Sequence, residues 1–96
     1  MVFGALQIDF RIQGVHSLKD KRSIIQKLIA KVRSAYPISV SEVGDHDMLG
    51  NGVIGVAVAG SDAVQVETVL QQVLKMIDEN PELEVYDSVI LVDQLK

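Results

Sequence analysis

The sequence predicts an α+β chain of the ferredoxin-like type, with its elements in the order strand, helix, strand, strand, helix, strand (βαββαβ). Two observations indicate this order: stretches in which apolar and polar residues alternate, and two stretches in which apolar residues recur three and four positions apart. Two strand–helix–strand units joined by a hairpin form a four-stranded antiparallel sheet with both helices on one face. Residues 1–96 have the length of a single domain.

The first part of the chain predicts one strand and one helix. Val2–Gln13 alternates between apolar and polar residues, which is typical of a strand with one buried face. Ser17 is a suitable helix N-cap with Asp20 three residues later, and Pro37 ends the helix that follows. The apolar positions of this helix are Leu18, Ile24, Ile25, Leu28, Ile29 and Val32.

The middle of the chain predicts a hairpin with a long loop. Ile38–Val43 and Val53–Ala59 have the composition of strands, with apolar residues on alternate positions. The glycines, aspartates and asparagine of Gly44–Gly52 are typical of the loop between them.

The last part of the chain predicts a second helix and a fourth strand. Ser61 is predicted to cap the helix, Asn80–Pro81 to end it, and Leu83–Val92 to form the strand. Four consecutive apolar residues at 89–92 break the alternation, which predicts a bulge or a strand end covered on both faces. The predicted core contains Leu6, Ile8, Phe10, Leu28, Val56, Val69 and Val73.

The composition excludes several kinds of site. The chain has no cysteine, which excludes disulfides, iron–sulfur clusters, thiolate zinc sites and cysteine nucleophiles. No uncharged apolar stretch approaches the roughly 20 residues of a membrane span, and no signal-like leader is visible. We therefore expect a cytoplasmic protein with no membrane partner. No catalytic or phosphate-loop motif stands out, so we expect no catalytic residue and no cofactor, and we favour a non-enzymatic role.

The predicted first helix carries six of the nine basic residues of the chain. Three of them lie in the first turn, where the helix dipole disfavours cations by about 0.3–1 kcal/mol each. Because free N–H groups at a helix start favour phosphate, the cluster predicts an anion or RNA site. A solvated helix face is the equally weighted alternative. The candidate binding residues are His16, Lys19, Lys21, Arg22, Lys27, Lys31 and Arg33.

The hairpin loop offers a weaker alternative, a metal site at Asp45, His46 and Asp47. Carboxylates and an imidazole can bind a divalent ion. However, their spacing matches no calcium loop, and the histidine has no partner at zinc spacing. Aspartate and glycine are common turn residues, so we interpret the loop as a turn and expect no metal.

The sheet face away from the helices is predicted to carry small apolar side chains and few aromatic ones. Phe3 is its only aromatic residue and lies at a strand end, which argues against base stacking as in RNA-recognition domains. Exposed apolar surface tends to mark an interface, so a partner chain or a covering loop or tail is expected here. The candidate interface residues are Phe3, Ala5, Val53 and Ala57.

Three runs resemble a known family. Gly14–Ser23 (GVHSLKDKRS), Ser41–Asp47 (SEVGDHD) and Gly55–Ala59 (GVAVA) are similar to the signature of the YlxP-like family, small bacterial proteins of unknown function. The resemblance implies a ferredoxin-like fold and a cytoplasmic protein. Genes of the family often lie beside that of a ribosome-binding factor, which implies RNA or ribosome work by association. Relatives often have a tryptophan and a basic residue where this chain has Met48–Gly52.

Three functional hypotheses follow from these features. The first is a non-enzymatic protein that binds RNA or the ribosome through phosphate contacts of the basic helix start. The second is a homo-oligomeric interaction module built through the open sheet face. The third is an enzyme, or a regulator that senses a small ligand, in which the same basic residues hold an anionic metabolite.

Overall fold

The computed structural model describes all 96 residues and has the predicted order of elements. These are β1 (Val2–Ile12), α1 (Leu18–Ala35), β2 (Ser39–Gly44), β3 (Asn51–Gly60), α2 (Ala63–Asp78) and β4 (Leu83–Gln94). The strands form one antiparallel sheet in the order β2-β3-β1-β4, which is the ferredoxin-like arrangement. The predicted fold class is confirmed.

Both helices pack on one face of the sheet and form the core with it. Along β1 the even-numbered residues are buried and the odd-numbered ones face away from the helices. Val32 of α1 and Val73 of α2 belong to the same apolar cluster as Phe10 of β1. Of the seven predicted core residues, six are buried and Val69 is partly buried. Neither helix combines the length and apolarity needed to cross a membrane.

Two glycines on the helix-facing side of the sheet make room for large neighbours. A Cβ atom on Gly4 would lie 2.7 Å from atoms of both Leu70 and Val66 in α2. A Cβ atom on Gly52 would overlap the ring of Phe10, its cross-strand partner. Glycine at these positions therefore lets α2 approach β1 closely and lets the phenyl ring lie over β3.

Several element boundaries differ from the sequence prediction by one or two residues. Ser17 caps α1 as predicted, but α2 is capped by Asp62 rather than Ser61, because the Asp62 carboxylate accepts from the Val64 N–H at 3.1 Å. Strand β3 begins at Asn51, two residues early, because β1 is long enough to pair with it there. Loop-forming residue types at the start of β3 concealed this pairing.

The prediction of a bulge or a doubly covered strand end at 89–92 is wrong, because the one bulge of β4 lies earlier in the strand. The register between β1 and β4 shifts at Tyr86, leaving that residue without a partner. Residues 89–92 are regular strand, and their two apolar faces have different surroundings. Ile90 and Val92 are half-buried towards the helices, whereas Val89 and Leu91 are exposed on the opposite face.

Candidate interaction surfaces

Lys21 is the only charged residue of the chain that is buried. It lies on the inner stripe of α1, one turn before Ile25. Its Nζ donates to the carbonyl oxygens of Asp45 at 2.6 Å and Met48 at 2.5 Å, and lies 3.5 Å from Oε2 of Glu42. The two carbonyls accept hydrogen bonds from the ammonium, whereas Glu42 Oε2 faces it as an ion pair and has no hydrogen-bond partner.

The structure corrects the prediction for Lys21. Its ammonium ties the first turn of α1 to the hairpin loop and is not available to an anion in solution. The sequence contained a signal for this arrangement, because position 21 is four residues before Ile25 and therefore shares the buried stripe. A charged residue on that stripe requires internal partners, which the loop carbonyls and Glu42 supply.

The exposed cations of α1 lie on two flanks rather than on one surface. Successive helix residues are about 100° apart, so Arg22 and Arg33 fall on one side of the buried stripe. Lys27 and Lys31 fall on the other side, and Lys19 lies near the outer surface. All five residues are exposed. The basic cluster seen in the sequence is therefore divided by the helix geometry.

Each flank has a neighbour within the fold. Arg33 donates to the carbonyl oxygen of Val40 in β2 at 3.0 Å. Lys27 and Lys31 line a groove whose other wall includes 79–82, with two glutamates in it. The candidate cations without an ion pair or such a neighbour are Lys19 and Arg22, with exposed His16 in the preceding turn.

The hairpin loop does not gather its acidic and histidine side chains. Nowhere in the chain do three or more His, Cys, Asp or Glu side chains lie close enough to hold a metal ion, so Asp45, His46 and Asp47 form no ligand set. His46 instead donates from Nε2 to the Glu42 carbonyl at 3.1 Å. Asp45 adopts a left-handed φ of 56°, a turn conformation that aspartate tolerates. These residues build the turn.

The sheet face opposite the helices is open and uncharged over its middle. Strand pairing aligns its outward residues in rows that cross all four strands. One row contains Ser39, Ala57, Ala5 and Leu91, and the next contains Ser41, Gly55, Gln7 and Val89.

These rows form a trough beside a ridge. We call Ala5, Gly55 and Ala57 the trough, since the two alanines carry only a methyl group and Gly55 has no side chain. We call Val89 and Leu91 the β4 ridge; their exposed fractions are 60% and 59%. Trough and ridge line one shallow depression of about 500 Å³ that is predominantly apolar. A face of this kind can accept an apolar projection from a partner.

Val43 of β2 closes the trough on the side opposite the β4 ridge. It lies where the register between β2 and β3 shifts, and it is 52% exposed. A Cβ atom on Gly55 would lie 2.7 Å from it, so glycine there leaves room for Val43. Of the predicted interface residues, Ala5 and Ala57 lie in the trough, while Phe3 and Val53 lie towards its ends.

The sequence prediction missed Val43, Val89 and Leu91, which contribute the exposed apolar bulk of this face. The signal for the last two was the continuous run at 89–92, because a regular strand with apolar residues on both parities presents an apolar side to each face. The bulge residue Val43 has no comparable signal in the sequence.

The sequence of this chain matches a known protein family. Residues 3–90 match the family described as "Protein of unknown function (DUF503)". The chain belongs to the DUF503 family. It is 34% identical over 83 residues to the uncharacterised protein YlxP of Bacillus subtilis (strain 168), an alignment covering 86% of this chain and 90% of YlxP. The resemblance to YlxP-like proteins is confirmed, and neither the DUF503 family nor YlxP has a described function.

A search of solved structures finds a dimeric ferredoxin-like protein of unknown function from Thermobifida fusca YX. It is 16% identical to this DUF503 member, with a TM-score of 0.42 over 97% of this chain and 92% of that one.

Proposed function

We propose that this protein is an interaction module that pairs with a second copy of itself through the open sheet face. The observation that carries the proposal is the β4 ridge beside the trough on one uncharged surface. Large exposed apolar side chains tend to mark contact sites, and the trough leaves space for side chains of that size.

A second copy fits because the surface is complementary to itself. In a twofold contact, the β4 ridge of each copy lies in the trough of the other, so one geometry buries both ridges. Charged residues lie at the ends of the face. Asp9 and Asp87 are opposite each other on β1 and β4 at one end, and Asp93 lies at the other end. Such a contact therefore desolvates no charge in its centre.

The face is close to the lower end of the size range of stable interfaces. The four strands have 11, 6, 10 and 12 residues. With about 4.8 Å between strands and a rise of about 3.4 Å per residue, they give a flat face of roughly 650 Å². A standard interface uses about 800 Å² per partner. We therefore expect a dimer that dissociates at micromolar concentrations rather than an obligate one.

Sedimentation of the parent chain and a Leu91→Lys variant tests the contact. Leu91 is 59% exposed, so its burial in both copies would contribute about 2–4 kcal/mol per dimer. The variant should dissociate at least about 30-fold more readily. Val64→Lys is the matched control, because Val64 is 72% exposed but lies on α2, on the other side of the sheet. A parent that stays monomeric at high micromolar concentration contradicts the proposal.

An Ala57→Leu variant separates a specific contact from general stickiness. The substitution adds apolar surface to the face but fills the trough. If any apolar contact is sufficient, association strengthens; if the ridge must enter the trough, association weakens as it does for Leu91→Lys. Stronger association of Ala57→Leu would refute the ridge-in-trough geometry.

A second candidate function is polyanion binding at the start of α1. It is favoured by the exposure of Lys19 and Arg22 and by the absence of an ion pair to either. RNA phosphates or a small anion would be held by charge, with strong salt dependence. A Lys19→Gln, Arg22→Gln variant should lose RNA retention, whereas the matched Lys27→Gln, Lys31→Gln variant should keep it. Equal retention by both variants would count against this site.

A further inference from the structure

The two edges of the sheet differ in how their outward backbone groups are used. Met1 and Leu95 exchange N–H···O bonds in both directions, so this pair is of the hydrogen-bonded kind. Because such pairs recur every second residue, the odd-numbered residues of β4 from 87 to 95 bond to β1. The even-numbered residues between them point their N–H and C=O groups away from the sheet.

The outward carbonyl groups of the β2 edge are occupied by side chains. The same alternation of hydrogen-bonded pairs continues from β1 through β3 to β2. It directs the carbonyl groups of Val40 and Glu42 away from the sheet. Arg33 donates to the first at 3.0 Å, and His46 donates to the second at 3.1 Å. Natural sheets protect their edges in this way against pairing with other strands.

The β4 edge has no such protection over Ser88, Ile90 and Val92. No side chain of the protein forms a hydrogen bond with the backbone groups of these three residues. The next outward N–H along the strand, that of Gln94, does have a partner, since it donates to Asp93 Oδ1 at 2.7 Å. Residues 88–92 (SVILV) contain no charge, proline or glycine. This stretch follows the bulge at Tyr86, so it is regular strand with three free donors and three free acceptors.

We propose that the free edge of β4 at 88–92 is a docking site for an extended segment of another protein. The chemistry of the edge selects a β-strand, because only an extended backbone matches its alternating donors and acceptors. Asp87 and Asp93 flank the site on the open-face side. The segment that fits is therefore five uncharged residues with a lysine or arginine at each end.

Charge argues against a second copy of β4 as the occupant. An antiparallel twofold pairing that uses Ser88, Ile90 and Val92 of both copies must centre on Ile90. That register places Asp87 of each copy opposite Asp93 of the other, so two like-charged pairs meet at close range. The same carboxylates that disfavour self-pairing would attract the basic ends of a different segment.

A designed peptide tests the site. The probe is the capped peptide Lys-Thr-Val-Thr-Val-Thr-Lys, and the matched control is Glu-Thr-Val-Thr-Val-Thr-Glu. Amide hydrogen exchange read residue by residue should show new protection at Ser88, Ile90 and Val92 with the lysine peptide only. The neighbouring amides of Val89 and Leu91 already bond to β1 and should not change. Absence of protection, or protection on β2 instead, overturns the proposal.

A proline variant provides a second readout on the folded protein. Ser88 is exposed and its N–H points outward, so Ser88→Pro removes one donor of the edge without breaking the β1 ladder. Ser88→Pro should weaken the binding of the lysine peptide roughly 3- to 10-fold, which is the effect of losing about one hydrogen bond. Ser88→Ala should leave the binding unchanged. Asp87→Asn with Asp93→Asn should abolish the preference for lysine over glutamate ends. A peptide that binds all of these variants equally is not bound at this edge.

Discussion

Replacing Lys21 with methionine tests the central contact between helix and hairpin. Methionine keeps a long unbranched side chain but removes the ammonium, so both loop carbonyls lose a hydrogen bond and the Glu42 carboxylate loses its ion pair with Lys21. Breaking a buried ion pair from one side typically costs about 3–5 kcal/mol. Because the Glu42 side chain is 17% exposed and the loop is at the surface, water can replace part of the lost interaction. We expect a loss of about 2–4 kcal/mol in the free energy of unfolding.

Guanidinium melts followed by circular dichroism measure this loss. Lys19→Met is the matched control, because it removes an exposed cation from the same helix turn. It should be neutral or stabilising by up to about 1 kcal/mol, since the helix dipole disfavours a cation there. The double variant Lys21→Met, Glu42→Met should recover part of the loss, because it removes the orphaned carboxylate as well.

Hydrogen exchange localises the effect of Lys21→Met. The loop turn is held by the Met48 N–H on the Asp45 carbonyl at 3.1 Å and by the Ile12 N–H on the Gly50 carbonyl at 2.9 Å. Both amides should exchange faster in Lys21→Met, while the centre of β1 keeps its protection. If Lys21→Met loses less than about 0.5 kcal/mol, as surface substitutions usually do, the argument for a buried ammonium is refuted.

Three further outcomes are expected. Phe10→Ala should cost about 3–5 kcal/mol in a denaturant melt, because Phe10 is fully buried, and a loss below about 1 kcal/mol would contradict its place in the core. Gly52→Ala should destabilise the parent by about 1–3 kcal/mol, because its Cβ overlaps the Phe10 ring, but it should be tolerated when combined with Phe10→Leu. Asp93→Lys should create self-pairing through β4, because each Asp87 would then face a lysine, and light scattering without larger species would argue against that register.

The candidate surfaces were only partly predictable. Ala5 and Ala57 could be placed on the open face from strand parity alone, because side chains alternate along a strand. Residue type alone groups Lys21 with the other cations of α1, whereas its position on the buried stripe separates it from them. The exposed bulk at Val43 depends on a register shift between β2 and β3, which is a property of the pair and not of either strand.

The sequence by itself determined the order of elements, the helix-facing side of β1 and the ferredoxin-like topology, because these follow from local periodicity and short connections. Only the tertiary structure decided which polar groups are free. The division of the α1 cations, the burial of Lys21 and the occupation of the β2 edge by Arg33 and His46 depend on neighbours that are distant in sequence or on another element. Periodicity predicts which face of an element is buried. Partners brought close by folding decide which donors, acceptors and charges remain available to another molecule.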